Sequence, residues 1–248
     1  MTRIIRVNVL AEALTGAGAL HLRDAAQLLG VSAMTVRRDI ALAPNRFGYL
    51  GGYIVARAPD APYVMAQEQG ASSAAKAAIC ARAAEMIEDG DTIFIDRGTT
   101  MPHLVKRIPR GLNITVVCYA LNIATPLANS ANVNLIMLGG HYNSSSASFA
   151  VQDGPATLSR IGINKAFISA SGVHAEKGVN CSNFHEVAVK QAVLRMALER
   201  CLVVDGGKFG RVRPAPFAEI GAFDTLITNQ SDQADEMQAN FRGRFIVV

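Results

Sequence analysis

The sequence predicts an α/β protein in two parts: a small winged helix-turn-helix, then a larger, mainly parallel α/β domain. Three observations predict it. From Ser72 onward, short near-continuous apolar runs alternate with helical segments, as in a parallel sheet covered on both faces. Before residue 58, three short helical patterns lead into a glycine-rich hairpin pattern. The formal net charge of +4 falls wholly in that first part: residues 1–58 hold seven Lys/Arg against three Asp/Glu, and residues 59–248 hold 17 of each sign. A basic module beside a neutral one is expected if the first part alone meets a polyanion such as DNA.

The first helix is read from Ile4, Val7, Leu10 and Leu14 at helical spacing, ended by Gly16 and Gly18. Leu22, Ala25, Ala26 and Leu29 mark a second, with Gly30 just past its end. Gly30, Val31 and Ser32 form a tight turn, and Ser32 is a good N-cap for a third helix from Ala33 to about Leu42, stopped by Pro44. Val36 and Ile40 are expected to pack inward on Leu28 and Leu29. Phe47 to Val55 alternates apolar residues with glycine, as a small β-hairpin does. These elements make up residues 1–57; the proline-bearing stretch 58–71 reads as a linker, and 72–248 as the α/β domain.

A long helix carrying Ile79, Ala83, Met86 and Ile87 opens that domain, and Asp89-Gly90-Asp91 turns the chain. The apolar runs are 92–96, 114–119, 134–138, 165–169, 201–205, 225–228 and 245–248. Half of the 248 residues are apolar, enough for a substantial core, and no stretch reaches the roughly 18 apolar residues of a membrane span. The opening residues lack a signal peptide's apolar block, so a cytoplasmic protein is expected. Cys80, Cys118, Cys181 and Cys201 are widely spaced, which favours buried thiols over a disulfide framework or zinc ribbon.

Two constellations carry chemistry. On the third helix, Met34, Thr35, Arg37 and Arg38 are expected to face outward, with the Ser32 cap presenting a hydroxyl and amides to a DNA backbone. The hairpin, with Tyr49 and Gly52, would serve as a wing on the neighbouring backbone. The bland alternative is a three-helix packing unit with a solvated basic face. The second constellation gathers beyond the carboxyl ends of the strands, where open parallel sheets bind ligands. It comprises Asp96, Gly98, Thr99 and Thr100; Tyr119 and Asn122; Gly139 and Gly140; Ser171 and Gly172; and Asp205 and Lys208. Gly98-Thr99-Thr100 opening a helix suits a phosphate, Lys208 could add a cation, and Asp96, Glu186 and Asp205 could accept from sugar hydroxyls. His174, Cys181 and His185 match no metal-ligand spacing, so no metal is expected.

Several stretches resemble the DeoR family of bacterial repressors in order and spacing. They are Val31 to Ile40, Asp96 to Thr100, Leu138 to Gly140, Lys165 to Gly172, Glu186 with Val189 and Lys190, and Asp205 to Gly210. Leu20 to Ala26 and Leu50 to Val55 extend the likeness over almost the whole chain. The resemblance implies a winged helix-turn-helix that includes Arg23 among its DNA-facing residues, and a sensor domain similar in fold to ribose-5-phosphate isomerase with Lys190 in its site. It implies operator DNA and a homo-oligomer, dimeric or higher, as partners, and a phosphorylated sugar as effector with no cofactor. For the member most similar in these stretches, the effector is deoxyribose 5-phosphate and the genes serve deoxynucleoside and deoxyribose catabolism. Gly207 departs from the family's Asp-x-Ser-Lys-Phe-Gly signature, and the segment after Ile40 is short and carries Pro44. The alternatives are a repressor answering to another sugar phosphate, and a sugar-phosphate isomerase using Asp205, Glu186 or Lys208 as acid and base.

Overall fold

The computed structural model describes residues 2–17, 19–43, 46–50, 52–56, 72–151 and 154–248. The expected linker and Pro44 lie outside the described residues.

The N-terminal part contains α1 (Arg3–Ala17), β1 (Ala19–His21), α2 (Leu22–Leu29), α3 (Ala33–Ala41), β2 (Phe47–Leu50) and β3 (Tyr53–Ala56). The three helices and the hairpin stand where the apolar spacing puts them. Val7, Leu10 and Leu14 of α1 meet Leu22, Ala25 and Leu29 of α2 and Val36 and Ile40 of α3 in one core, closed by Phe47 and Ile54 of the hairpin. Two expectations fail. Ile4 is 70% exposed and Leu28 is 50% exposed: Ile4 sits at the outer end of α1, and Leu28 falls on the far side of α2 from the Leu22–Leu29 stripe. The third strand, β1, was not foreseen; it pairs antiparallel with β3, Ala19 opposite Val55 and His21 opposite Tyr53.

The remainder begins with α4 (Ser73–Ala84), β4 (Thr92–Ile95), α5 (Met101–Val105), β5 (Ile114–Cys118), α6 (Leu121–Leu127) and β6 (Val133–Met137). A hairpin of β7 (His141–Asn143) and β8 (Ser148–Ala150) precedes α7 (Gly154–Leu158) and β9 (Lys165–Ile168). The chain then forms β10 (Gly172–His174), β11 (Gly178–Cys181), α8 (Val187–Met196), β12 (Glu199–Val203), β13 (Ala215–Ala218), β14 (Thr225–Thr228), α9 (Asp232–Asn240) and β15 (Arg244–Val247).

The seven apolar runs are the seven strands of one sheet, in the order β15-β14-β12-β9-β4-β5-β6, with every neighbouring pair parallel. Strand alternation explains why the runs lack polar breaks. Ile93 and Ile95 of β4 belong to one buried layer, with Ile79, Met101 and Phe167, whereas Phe94 belongs to the opposite layer, with Ile168, Val189 and Leu202. From β4 the chain winds outward through β5 and β6, then returns to β4's other side as β9. The strand order therefore reverses between β4 and β9, and the crevice beyond their carboxyl ends is where such sheets place ligands. A smaller antiparallel sheet, β10-β11-β13, stands apart from the large one. All four cysteines are buried and unpaired, and burial pushes the Cys80 thiol up to about 12 and the Cys118 thiol up to about 11.

Candidate functional site

At the N-terminal module, Gly30 takes the left-handed conformation (φ 62°) and ends α2, its N–H donating to Ala26 and Gln27. Ser32 caps α3: its Oγ accepts from the Thr35 N–H at 3.2 Å and lies 3.0 Å from Thr35 Oγ1. Val36 and Ile40 turn inward, and Met34, Arg37 and Arg38 are exposed on the opposite face. Arg37 donates to the Tyr49 hydroxyl at 2.9 Å and stacks its guanidinium over that ring. The wing and the recognition face are thus one surface. Gly52 (φ 93°) shapes the wing turn, and its carbonyl accepts from Leu22 N at 2.9 Å. Arg23 is exposed near the start of α2, whose N-cap is His21; the imidazole Nδ1 accepts from Arg23 N. Not every cation in this half is available to a polyanion, because Arg6 forks onto the buried Asp39 of α3, at 2.7 and 3.1 Å, and fastens α1 to it. Asp39 was not singled out from sequence, and the apolar neighbours of α3 gave no hint of it.

At the switch point, Asp96 follows β4 and is fully buried. It accepts from the Tyr119 hydroxyl at 2.7 Å, from Ser169 N at 2.8 Å and Oγ at 2.9 Å, and from Lys190 Nζ. Lys190 also donates to the Ser169 carbonyl. Ionised partners and donated hydrogen bonds outweigh burial and hold the Asp96 carboxyl below the usual carboxylate range, while burial raises the Tyr119 phenol well above its own. Glu186, equally buried, accepts from Arg97 and from Asn183. These groups form a stitched floor joining β4, β5, β9 and α8.

Above it lies the loop 98–100. Gly98 (φ 106°) turns the chain, and Asn122 pins it by donating to the Gly98 carbonyl at 2.8 Å. Thr99 is half-buried and Thr100 buried. The helix they open, α5, is a single turn of five residues, too short for an appreciable dipole. A cation stands there instead. Lys76 of α4 is only 1% exposed and donates to Thr99 Oγ1 at 2.9 Å. Nothing in the sequence sets it apart, since a lysine in an alanine-rich helix looks solvent-facing.

Ser171 and Gly172 open β10. Ser171 Oγ accepts from Ser182 at 3.1 Å, and a Cβ on Gly172 would lie 2.5 Å from the Arg211 carbonyl oxygen. Asp205, after β12, is 4% exposed, and its Oδ2 has no hydrogen-bond partner among the described residues. Lys208 is half-exposed one turn on, its N–H donating to the Asp205 carbonyl. Gly207, in place of the family's serine, would put a Cβ 3.1 Å from Asp205 Oδ1. Gly139 and Gly140 are placed differently: they line a crevice of about 330 Å³ beside the edge strand β6, with Met137, Val151 and Thr157, and none of the floor residues borders it. A Cβ on Gly140 would lie 2.2 Å from the Ala150 carbonyl oxygen. Gly140→Ala is expected to cost about 1–3 kcal/mol of stability through that clash, read as a lower urea midpoint; an unchanged midpoint would show that the β6–β7 turn yields freely. Of the histidines and cysteine weighed as metal ligands, Cys181 donates to the Ala215 carbonyl and His174 packs on Tyr53.

A helix-turn-helix with a wing, followed by a parallel α/β domain that gathers buried polar groups at its topological switch point, is the arrangement of a DNA-binding regulator with a sensor domain. Residues 6–45 match the DeoR-like helix-turn-helix domain, and residues 71–230 the DeoR C terminal sensor domain. The chain is 37% identical to the deoxyribose operon repressor of Escherichia coli K12 over 225 residues, covering 90% of this chain and 89% of that one. It is 29% identical to the transcriptional regulator IolR of Bacillus subtilis 168, covering 92% of each chain. The chain belongs to the DeoR family, and it is a DNA-binding transcriptional regulator and not a catalyst. Among solved structures it is similar to ribose 5-phosphate isomerase A of Neisseria gonorrhoeae (TM-score 0.40, 14% identity) over 56% of this chain and 53% of that one. The corresponding figures for eIF2B delta of Chaetomium thermophilum are a TM-score of 0.43, 16% identity, and 57% and 51% coverage. The chain thus spans about half the length of either structure. No helix among the described residues is long and apolar enough to cross a membrane.

Proposed function

We propose that this regulator represses genes of deoxyribose and deoxynucleoside catabolism and leaves its operator when 2-deoxyribose 5-phosphate enters the switch-point crevice. The observation that carries this reading is Asp205 Oδ2, a buried carboxylate oxygen with no partner among the described residues, at the carboxyl end of β12. A buried acceptor without a donor is costly, and a sugar hydroxyl relieves that cost. Thr99, Thr100 and Lys76 supply hydroxyls and a cation for the phosphate, with Asn122, Ser171, Gly172 and Lys208 around them. Asp96, Tyr119, Glu186 and Lys190 hold these groups in place from below. The choice of sugar rests on the likeness to the deoxyribose operon repressor.

On the DNA side, Ser32, Met34, Thr35, Arg37 and Arg38 meet the major groove, with Arg23, Tyr49 and Gly52 at the flanking backbone. One short helix reads few bases, so a homo-oligomer on a symmetric operator supplies the missing specificity. The division into residues 1–57, 58–71 and 72–248 belongs to the same proposal.

The test is to titrate the chain on its own upstream DNA with phosphorylated pentoses and hexoses. Release by 2-deoxyribose 5-phosphate at the lowest concentration is expected. The double variant Thr99→Ala/Thr100→Ala should need at least roughly ten-fold more sugar phosphate, with operator affinity unchanged. Release by a different sugar phosphate alone would refute the assignment of the effector.

A further inference from the structure

The β10–β11 hairpin joins the two functional regions. Both of its ends adjoin the switch-point residues: Ser171 and Gly172 follow Ser169, which is bonded to Asp96, and after Cys181 the chain passes through Ser182, bonded to Ser171, to Glu186 on the floor. The hairpin is held tightly between these ends. A Cβ on Gly178 would lie 2.3 Å from the Ala218 carbonyl oxygen, and the buried Asn180 Oδ1 accepts from Arg213 N at 2.6 Å.

The tip closes on a residue of the other module. The Tyr53 hydroxyl of β3 donates to Glu176 Oε2 at 2.8 Å, and the ring packs edgewise on His174 with centroids 5.1 Å apart. Lys177 Nζ lies 5.1 Å from the centre of the same ring. The tip is itself ordered, because His174 Nδ1 accepts from Glu176 N. On its other side Tyr53 packs edgewise on His21, with centroids 5.0 Å apart, and His21 is the cap of α2. A continuous line of packed and hydrogen-bonded groups therefore leads from Ser171 to the first turn of the helix-turn-helix.

We infer that the β10–β11 hairpin is the coupling element of this regulator, and that its grip on Tyr53 holds the DNA-binding module in the operator-competent orientation until the occupied crevice shifts the hairpin's base. This rests on the functional reading above. The bond lies at the surface, where such an interaction is screened by water and is worth a few-fold in an equilibrium constant. That is below the roughly five-fold at which coupling between sites in allosteric proteins typically begins, so the Tyr53 bond carries part of the coupling and the ring contacts with His174 and His21 carry the rest.

The experiment is a double-mutant cycle in the full chain on its own upstream DNA, read by fluorescence anisotropy with and without 2-deoxyribose 5-phosphate. Tyr53→Phe removes only the hydroxyl, and Glu176→Ala removes its acceptor, at an exposed tip. Without sugar, Tyr53→Phe should weaken operator binding roughly three-fold and have no effect in the Glu176→Ala background. With saturating sugar phosphate, Tyr53→Phe and the wild type should bind operator equally, so release shrinks by the same factor. Unchanged or tighter binding by Tyr53→Phe, or an equal effect in both backgrounds, overturns the inference. If the wild type ignores 2-deoxyribose 5-phosphate, the proposed effector falls, and the sugar-free cycle still decides the role of the hairpin.

Discussion

Replacing Lys190 with methionine is expected to lower the stability of the α/β domain by about 3–5 kcal/mol, because it leaves the Asp96 carboxylate buried without its cation. Methionine keeps the length and volume of the side chain, so the loss isolates charge from packing. Urea unfolding at neutral pH measures it. The pH dependence carries the sign. The folded-state pKa of Asp96 lies below its ordinary value of 3.8, so the wild type's gain is complete above that value and is lost as pH falls through the lower, folded-state one. In Lys190→Met the desolvated carboxyl has lost its main compensation and is expected to titrate above 3.8, so that variant should gain stability relative to the wild type as the solution is acidified. A variant as stable as the wild type at neutral pH would mean that the floor is not held together by this pair.

Arg38→Ala should weaken operator binding by about 1–3 kcal/mol and relax base preference at one operator position, while effector affinity stays as it was. Arg38 is exposed on the face of α3 opposite Val36 and Ile40, one residue from an arginine already turned toward Tyr49. Anisotropy titrations on operator and on scrambled DNA separate the outcomes. Equal weakening on both, with a shallower salt dependence, would place Arg38 on a phosphate. No change on either would remove α3's outer face from the DNA interface.

Those two residues show what could be read from sequence. Arg38 was placed by spacing alone: Val36 and Ile40 fix the inner face, and Ser32 fixes where the helix begins. The seven sheet strands were equally legible, since a parallel sheet buried on both sides leaves uninterrupted apolar runs. The short strands were not. β1, β7 and β10 have three residues each, too few for a periodicity to register. For the site, sequence located the polar residues beyond the strand ends but could not divide them between floor and opening. Asp96 and Asp205 look alike on paper; the first is saturated by Tyr119, Ser169 and Lys190, and the second keeps one oxygen with no partner among the described residues. Lys76 carries no such signal, because the apolar spacing of its helix is silent about a buried lysine and only the tertiary fold brings it to Thr99.

The return of the chain to β4 from the far side also governs how the molecule comes to exist. β4, β5 and β6 can zip together as they leave the ribosome, but β9 lies about seventy residues after its partner β4. Pairing across that distance must wait for the intervening chain and is slow by nature. The helix-turn-helix, made first and carrying a core of its own, is able to form while the later domain still lacks the half that completes its crevice. A nascent or truncated chain therefore holds a folded helix-turn-helix before it has the hairpin that steadies that module or the strands that complete the sensor.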